Sequence, residues 1–452
     1  MSPDALPDAL EQSNRQCHPN TRLAVLKDIL SWVEDDKSET QVLWLHGPAG
    51  AGKTAIGHSV AEQAKQQFAA GFFFSRTEAG RNHDKCLIAT ISYQLLASIP
   101  GARPFIVTAV TKDPLIFLRS LNSQIKHLII EPLNQMHAES HHPHPKLLLI
   151  DGLDECFPTG SQKNILTAIH TALQQGHFPF RVLICSRAEP DIREVFESEL
   201  SKLTYRISLD DKKYEPDQDI ALYLRSKFSD IGRKLRYKRG VMSSSPLPSW
   251  PSEKVIQTLV SKASGQFIYA ATVIRYIDVH DERPDDRLKI VLGLSGSQSS
   301  KPFDELDRFY RKIFSAIKDI HVSLTSRLLG TILTLKTPLS IDSLENLLGL
   351  REGDAEPALC YLHSVVRLPD SNTEGPHTGV GLYHASLGDF LFDSDRAGVY
   401  HIKMESAHAT LTESCLRILS DKLIPSWTTS IRRDMIMMGL RGMSILESSY
   451  LY

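Results

Sequence analysis

No charge of one sign prevails in this chain: 51 Lys and Arg stand against 53 Asp and Glu across 452 residues. That balance gives no reason to expect nucleic acid or an anionic membrane as the main partner. No C-x-x-C pair occurs. The cysteines, Cys17, Cys86, Cys156, Cys185, Cys360 and Cys415, are scattered, which argues against a disulfide framework and fits reduced thiols in a cytoplasmic protein. No apolar run approaches the roughly 20 residues of a membrane helix. The opening MSPDALPDALEQSN carries acids where a secretory signal carries bases and then an apolar stretch, so secretion is not expected. No internal repeat is present. What remains is ample: 42% hydrophobic and 23% charged residues, the composition of packed cores, in a chain long enough for roughly three domains.

The most informative stretch is Leu43 to Thr54, LWLHGPAGAGKT. It contains G-x-x-x-x-G-K-T between an apolar run at 41–46, suited to a buried strand, and a helical pattern from Thr54 to Phe68, with Ile56, Val60, Ala64 and Phe68 every fourth residue. A strand turning through glycines into a helix aims several backbone N–H groups and the helix N-terminus at one point, which suits a phosphate. Gly47, Gly50 and Gly52 permit the close approach, with Pro48, Ala49 and Ala51 completing the loop. Lys53 would reach the β- and γ-phosphates and the Thr54 hydroxyl would ligate Mg²⁺. ATP or ADP with Mg²⁺ is the expected ligand.

A second strand is expected near Gly71–Ser75, helices at 87–99 and 115–136, and then KLLLIDGLDE at 146–155. There a buried strand ends in an acid, where ligands sit in open α/β sheets. Asp151 would hold Mg²⁺; Asp154 and Glu155 would polarise an attacking water. RVLICSR at 181–187 is another buried strand, ending in an arginine that either reports a γ-phosphate or is an ordinary surface cation. A helix at 161–175 and an outer strand at 203–209 complete a mainly parallel, three-layer α/β domain. HAESHHPHP at 137–145 is His-rich but lacks ligand spacing and reads as a solvated loop.

Upstream, residues 1–20 read as loose, and apolar positions 23, 26, 29, 30 and 33 mark a helix. Downstream, helices are expected at 215–228 and 253–279. The basic GRKLRYKRG at 232–240 and the Ser/Pro-rich 243–252 read as exposed, and 281–302 as a linker. From 303 a new unit begins, with helices at 324–335, 338–348 (Ser340 or Asp342 as cap) and 355–366, then a short strand at 380–384. Helices followed by a β-wing suggest a winged-helix-like module, without the basic recognition helix of a DNA binder. The divisions are a lead-in at 1–40, the core at 41–210, a helical domain and linker at 211–300, the winged-helix-like domain at 301–395 and a helical tail at 396–452.

The assembled residues resemble the NACHT family of STAND signal-transduction ATPases, the fungal NLR-like proteins with a nephrocystin-3-like N-terminal NTPase. The resemblance runs through CHPNTRLAVLKDILSWVED (17–35), HGPAGAGKT (46–54), LLLIDGLDEC (147–156), VLICSR (182–187), GQFIYAATVIRYI (265–277) and LYHASLGDFL (382–391). It implies a nucleotide-operated switch: core, helical domain and winged helix close over ADP, and exchange for ATP permits self-association with protein partners. It assigns phosphate and Mg²⁺ to Lys53 and Thr54, Mg²⁺ and hydrolysis to Asp151 and Asp154, γ-phosphate sensing to Arg187, and an ADP phosphate to His384. It also sets Thr21–Arg22 against the adenine side. Two departures stand out. GQFIYA lacks the proline that packs on adenine in relatives, and Ala385 replaces the aspartate that often follows the histidine. Relatives usually carry an effector domain before the ATPase and a repeat array after it, so this chain reads as a truncated form, a shortened paralogue or a regulator of full-length NLR-like proteins acting through other chains. The function expected is a slow ATPase switch in a signalling or non-self-recognition response. The alternatives are a non-catalytic, nucleotide-stabilised scaffold and a small-molecule kinase.

Overall fold

A computed structural model describes residues 16–423, apart from 36, 77, 79, 140–145, 159, 176–177, 239–249, 280–282, 294–302 and 369–378. The expectations for residues 1–15, for most of the His-rich stretch, for the Ser/Pro-rich 243–249 and for the end of the tail lie outside them.

The described chain divides into two units: residues 1–312 with 382–387, and residues 313–381 with 388–452. The first is built on a five-stranded parallel sheet, in the order β2-β3-β4-β1-β5. Its strands are β1 (Val42–His46), β2 (Phe68–Phe73), β3 (Leu147–Asp151), β4 (Arg181–Ser186) and β5 (Thr204–Ser208). β1, β3 and β4 are continuous apolar runs because helices cover both faces, so neither side needs a polar alternate. On one face Trp44, Phe72, Leu148, Ile150, Val182 and Ile184 pack against α3 (Leu87–Ser98) and α7 (Gly160–Gln174). On the other, Leu43, Leu45, Leu149 and Leu183 pack against α1 (Leu23–Glu34) and α2 (Lys53–Gln63). This is the expected three-layer P-loop NTPase core, followed by a helical region.

Several expected boundaries move. The helix over Thr54–Phe68 stops at Gln63, and Phe68 instead begins β2 opposite Leu147. Pairing with a neighbouring strand overrides the helical spacing there. The single helix expected over 115–136 is four pieces: a 3₁₀ turn at Ile116–Leu118, α5 (Leu121–Ile125), a π turn at Lys126–Ile130 and α6 (Glu131–Glu139). Arg119 is extended, and the Ser120 side chain caps a fresh start by accepting from the Ser123 N–H. Two helices arise where none was expected, α4 (Arg103–Lys112), opened by Pro104, and α8 (Pro190–Glu197), opened by its proline; proline fits a first helical turn, where its missing N–H is not needed.

Beyond the sheet come α9 (Pro216–Lys238), α10 (Glu253–Ala263), α11 (Phe267–Ile277), α12 (Pro284–Gly293) and α13 (Asp304–Phe314). The helix expected over 253–279 breaks because Ser264 and Gly265 both take positive φ, 47° and 76°. Part of the expected linker is α12.

The second unit contains α14 (Asp319–Thr334), α15 (Ile341–Leu348), α16 (Ala355–Leu359), the rest of α17 (Ser386–Phe392), α18 (Ser394–Ala397) and α19 (Met404–Leu423). Ser340 caps α15, its Oγ accepting from the Ser343 N–H at 3.2 Å. Strand β6 (Val366–Arg367) takes residues expected to end a helix, and pairs with the short β7 (Gly381–Leu382). Leu328, Leu329, Leu344, Leu359 and Phe390 form its interior. No described helix is long and apolar enough to cross a membrane.

Candidate functional site: the phosphate loop and the acidic strand end

Register places the site. In β3 and β4 Asp151 lies opposite Cys185, and in β4 and β1 Cys185 lies opposite Leu45. The strand order inserts β4 between β1 and β3, so the C-terminal ends carrying the glycine loop, Arg187 and Asp151 lie side by side at the middle of the sheet.

The loop leaves β1 at Gly47 and enters α2 at Lys53. Gly50 and Gly52 have φ of 76° and 93°, a region costly for any residue with a Cβ. A Cβ on Gly52 would meet nothing within 4 Å, whereas one on Gly50 would lie 2.1 Å from Ile268 Cγ2. The loop is therefore open at one glycine and filled from α11 at the other. There the Ile268 N–H also donates to the Gly50 carbonyl at 3.2 Å.

Lys53 turns its ammonium onto the loop, donating to the carbonyls of Gly47 at 2.8 Å and Pro48 at 2.9 Å. Burial lowers its pKa; the Asp154 carboxylate opposes that shift. Those two carbonyls hold the charge where a phosphate oxygen would compete for it.

Asp151 is 2% exposed. Burial raises its pKa to about 6, opposed by a hydrogen bond with the Thr54 hydroxyl, by the Lys53 charge and by a hydrogen bond with the Cys185 thiol. Its Oδ1 is buried with no hydrogen-bond partner. A buried carboxylate oxygen left unpaired is expensive, and here it sits beside a threonine hydroxyl and an ammonium. The donor set suits Mg²⁺, which takes one or two protein oxygens and fills its octahedron with water and phosphate oxygens. Among the described residues no group of three or more His, Cys, Asp or Glu forms a metal cage.

Asp154 is committed differently. Its Oδ1 accepts from the Arg187 N–H at 2.9 Å and its Oδ2 lies 3.2 Å from Arg187 Nε. Glu155 accepts from the Arg76 N–H through Oε2 at 3.1 Å, and burial raises its pKa, with the Asp154 charge adding to the shift. Gly152, at φ 69°, turns the chain between these acids, where a Cβ would press to 3.2 Å of the Phe74 carbonyl.

The family resemblance set Thr21–Arg22 beside the nucleotide, but no residue pattern foretold the contacts that Arg22 makes. Arg22, at φ 58° and 3% exposed, donates through Nη2 to the Ala51 carbonyl at 2.8 Å, while its own N–H donates to Asp219 Oδ2 at 3.0 Å. Its guanidinium also lies over the Phe267 ring. A left-handed arginine has no sequence signature. His384 lies within electrostatic reach of Arg187, Lys53 and Arg275; burial first and those charges second hold its imidazole neutral, its pKa lowered to about 3. The site thus gathers Gly47–Thr54, Asp151, Asp154, Glu155, Arg187 and His384 in the first unit.

The family model for the N-terminal region of nephrocystin 3 matches residues 21–187, which contain the loop, the three acids and Arg187. No curated protein matches the chain. Among solved structures, a signal transduction ATPase with numerous domains and a tetratricopeptide repeat sensor, from Pyrococcus horikoshii, aligns at 12% identity and TM-score 0.43 over 88% of this chain and 45% of its own. This chain therefore spans less than half the length of that protein. Cdc6p of Pyrobaculum aerophilum aligns at 14% identity and TM-score 0.34, covering 92% of this chain and 97% of that one. The Orc1 protein of Aeropyrum pernix, solved in complex with DNA, aligns at 13% identity and TM-score 0.32, covering 87% and 91%. At such distances no function is carried across.

Proposed function

We propose that this P-loop NTPase is an ATP/ADP-operated switch of the NACHT type, cytoplasmic, with slow Mg²⁺-dependent hydrolysis, whose nucleotide state governs self-association in a signalling or non-self-recognition response. The observation that carries the reading is the unpaired, buried Oδ1 of Asp151 beside Thr54 and Lys53. A buried carboxylate oxygen without a partner beside a phosphate loop is a position that a metal–nucleotide ligand would fill.

In this reading Lys53 exchanges its two carbonyl acceptors for phosphate oxygens, and the backbone of 47–53 supplies further donors. Asp151 and Thr54 hold the Mg²⁺, and bound Mg²⁺ neutralises charge on the phosphates. Arg187, held by Asp154, brings its positive charge to the strand end, and Glu155 is the acid left to orient water. His384 offers a neutral N–H donor.

One feature favours the second reading, a nucleotide-stabilised scaffold without turnover. Both oxygens of Asp154 face Arg187, which withdraws that acid from an attacking water. Thermal unfolding with ADP and ATP, with and without Mg²⁺, tests the shared core of both. Ligand at a hundred times its Kd should stabilise the fold by about 2.7 kcal/mol, and Lys53→Ala should abolish that. Phosphate release above the Lys53→Ala background separates switch from scaffold, and light scattering with each nucleotide reads self-association. Protein that gains no stability from either nucleotide refutes both.

A further inference from the structure

The tautomer of His384 can be read from its neighbours. The Ser386 backbone N–H donates to His384 Nδ1 at 3.0 Å, and Ser386 Oγ lies 2.8 Å from the same nitrogen. A backbone N–H has no role except donor, so Nδ1 carries a lone pair and the neutral ring keeps its hydrogen on Nε2. Ser386 Oγ must then give its own hydrogen to Nδ1. Tyr310 Oη, 2.8 Å from Ser386 Oγ, completes the chain by donating to the serine.

The row is shielded from solvent: Ser386 and Tyr310 are each 1% exposed. Water therefore does not compete for the serine hydroxyl or offer Nδ1 an alternative acceptor. Among the described residues both hydrogen bonds of the ring engage Nδ1, which leaves Nε2–H as the group the ring can offer to a ligand. Lys53, Arg187 and Arg275 act on the ring as cations, with Asp154 opposing them, and in the switch reading the anion that joins them is a phosphate of the nucleotide. A ring of the other tautomer would present a lone pair to a phosphate oxygen and repel it.

We propose that Ser386 and Tyr310 are positioning residues that lock His384 as the Nε2–H tautomer, making it a directed donor to a phosphate oxygen of the bound nucleotide. The inference rests on the switch reading above. It adds that the histidine's grip is set from behind, by two residues that never touch the ligand. The arrangement also bears on Ala385. The residue beside the histidine contributes no carboxylate, and the orienting task falls to the hydroxyls.

The test is ADP affinity, by calorimetry, in two backgrounds. In the natural background Ser386→Ala and Tyr310→Phe keep the backbone N–H that fixes the tautomer but remove the hydroxyl contacts that hold the ring's direction, so each should weaken ADP binding about 3- to 10-fold, the worth of one neutral hydrogen bond. In a His384→Gln background the amide N–H2 stands near the Nε2 position and has no tautomer to fix. There the same two substitutions should change affinity less than about twofold. Equal losses in both backgrounds mean a merely structural role and overturn the proposal. So does a His384→Ala variant that binds ADP as tightly as the natural protein while Lys53→Ala does not bind, which removes His384 from the site but leaves the switch standing. Failure of the natural protein to bind ADP overturns both. Should a substitution impair folding, ¹⁵N-histidine spectra of the natural protein decide alone. The His384 resonances, identified by their loss in His384→Gln, should show a protonated Nε2 and an unprotonated Nδ1, and the reverse pattern overturns the lock.

Discussion

Both carboxylate oxygens of Asp154 face Arg187, one accepting its backbone N–H at 2.9 Å and the other lying 3.2 Å from its Nε. The acid that sequence spacing offered as a base is a clamp on the arginine that the neighbouring strand delivers.

Because the two act as a unit, their substitutions should not add. Asp154→Asn and Arg187→Ala should each slow nucleotide turnover, and the double variant should be little worse than the more severe single one. A coupling energy of about 1–3 kcal/mol in a double-mutant cycle on the turnover rate is the expected result. Strict additivity would separate the two residues functionally.

Gly50 and Gly52 should respond differently to alanine. Both pay the backbone cost of positive φ, about 1–2 kcal/mol. At Gly52 the Cβ enters open space, whereas at Gly50 it collides with Ile268. Gly50→Ala should therefore be the more destabilising in chemical denaturation followed by tryptophan fluorescence, and Ile268→Ala should restore part of that loss and none of the Gly52→Ala loss.

Arg22 joins the lead-in to the loop through Ala51 and to α9 through Asp219. Arg22→Ala removes the cation beside Asp219, whose pKa burial already raises. A loss of about 2–4 kcal/mol in unfolding free energy is expected. Arg22→Lys, a point charge without the guanidinium fork, should recover only part of it. An Arg22→Ala protein as stable as the natural one would show the buried pair to be idle.

His384 fixes a pH dependence with a definite sign. Its folded pKa of about 3 lies below the ordinary value near 6.5, so between those values the unfolded chain binds the proton and the folded one does not. Stability from this residue is complete above about pH 6.5 and falls as the solution is acidified towards pH 3. Midpoints of urea unfolding measured across that range should drop more steeply for the natural protein than for His384→Gln.

The phosphate loop was legible because its chemistry is local. Gly50, Gly52, Lys53 and Thr54 are contiguous, and the strand before and the helix after announce themselves by pattern. Asp151 was legible for the same reason, as an acid ending an apolar run. The helix expected over 253–279 failed at Ser264–Gly265, where two positive φ angles interrupt an unbroken apolar periodicity. Phe68 failed because a side chain in helical phase was claimed by a strand partner about eighty residues away, and backbone pairing of that kind leaves no mark in a local window.

The sequence by itself determined the loop, the acidic strand end, the parallel α/β class and the ligand they suit, since each depends on residues that are neighbours in the chain. Only the tertiary structure decided that β4 lies between β1 and β3, that Arg187 binds Asp154, that Ile268 and Arg22 brace the loop, and that Tyr310 and Ser386 stand behind His384. Those relations follow from strand order and burial, which arise when the whole chain minimises its exposed apolar surface together, so residues as far apart in the chain as Arg22 and Phe267 meet without any motif that joins them.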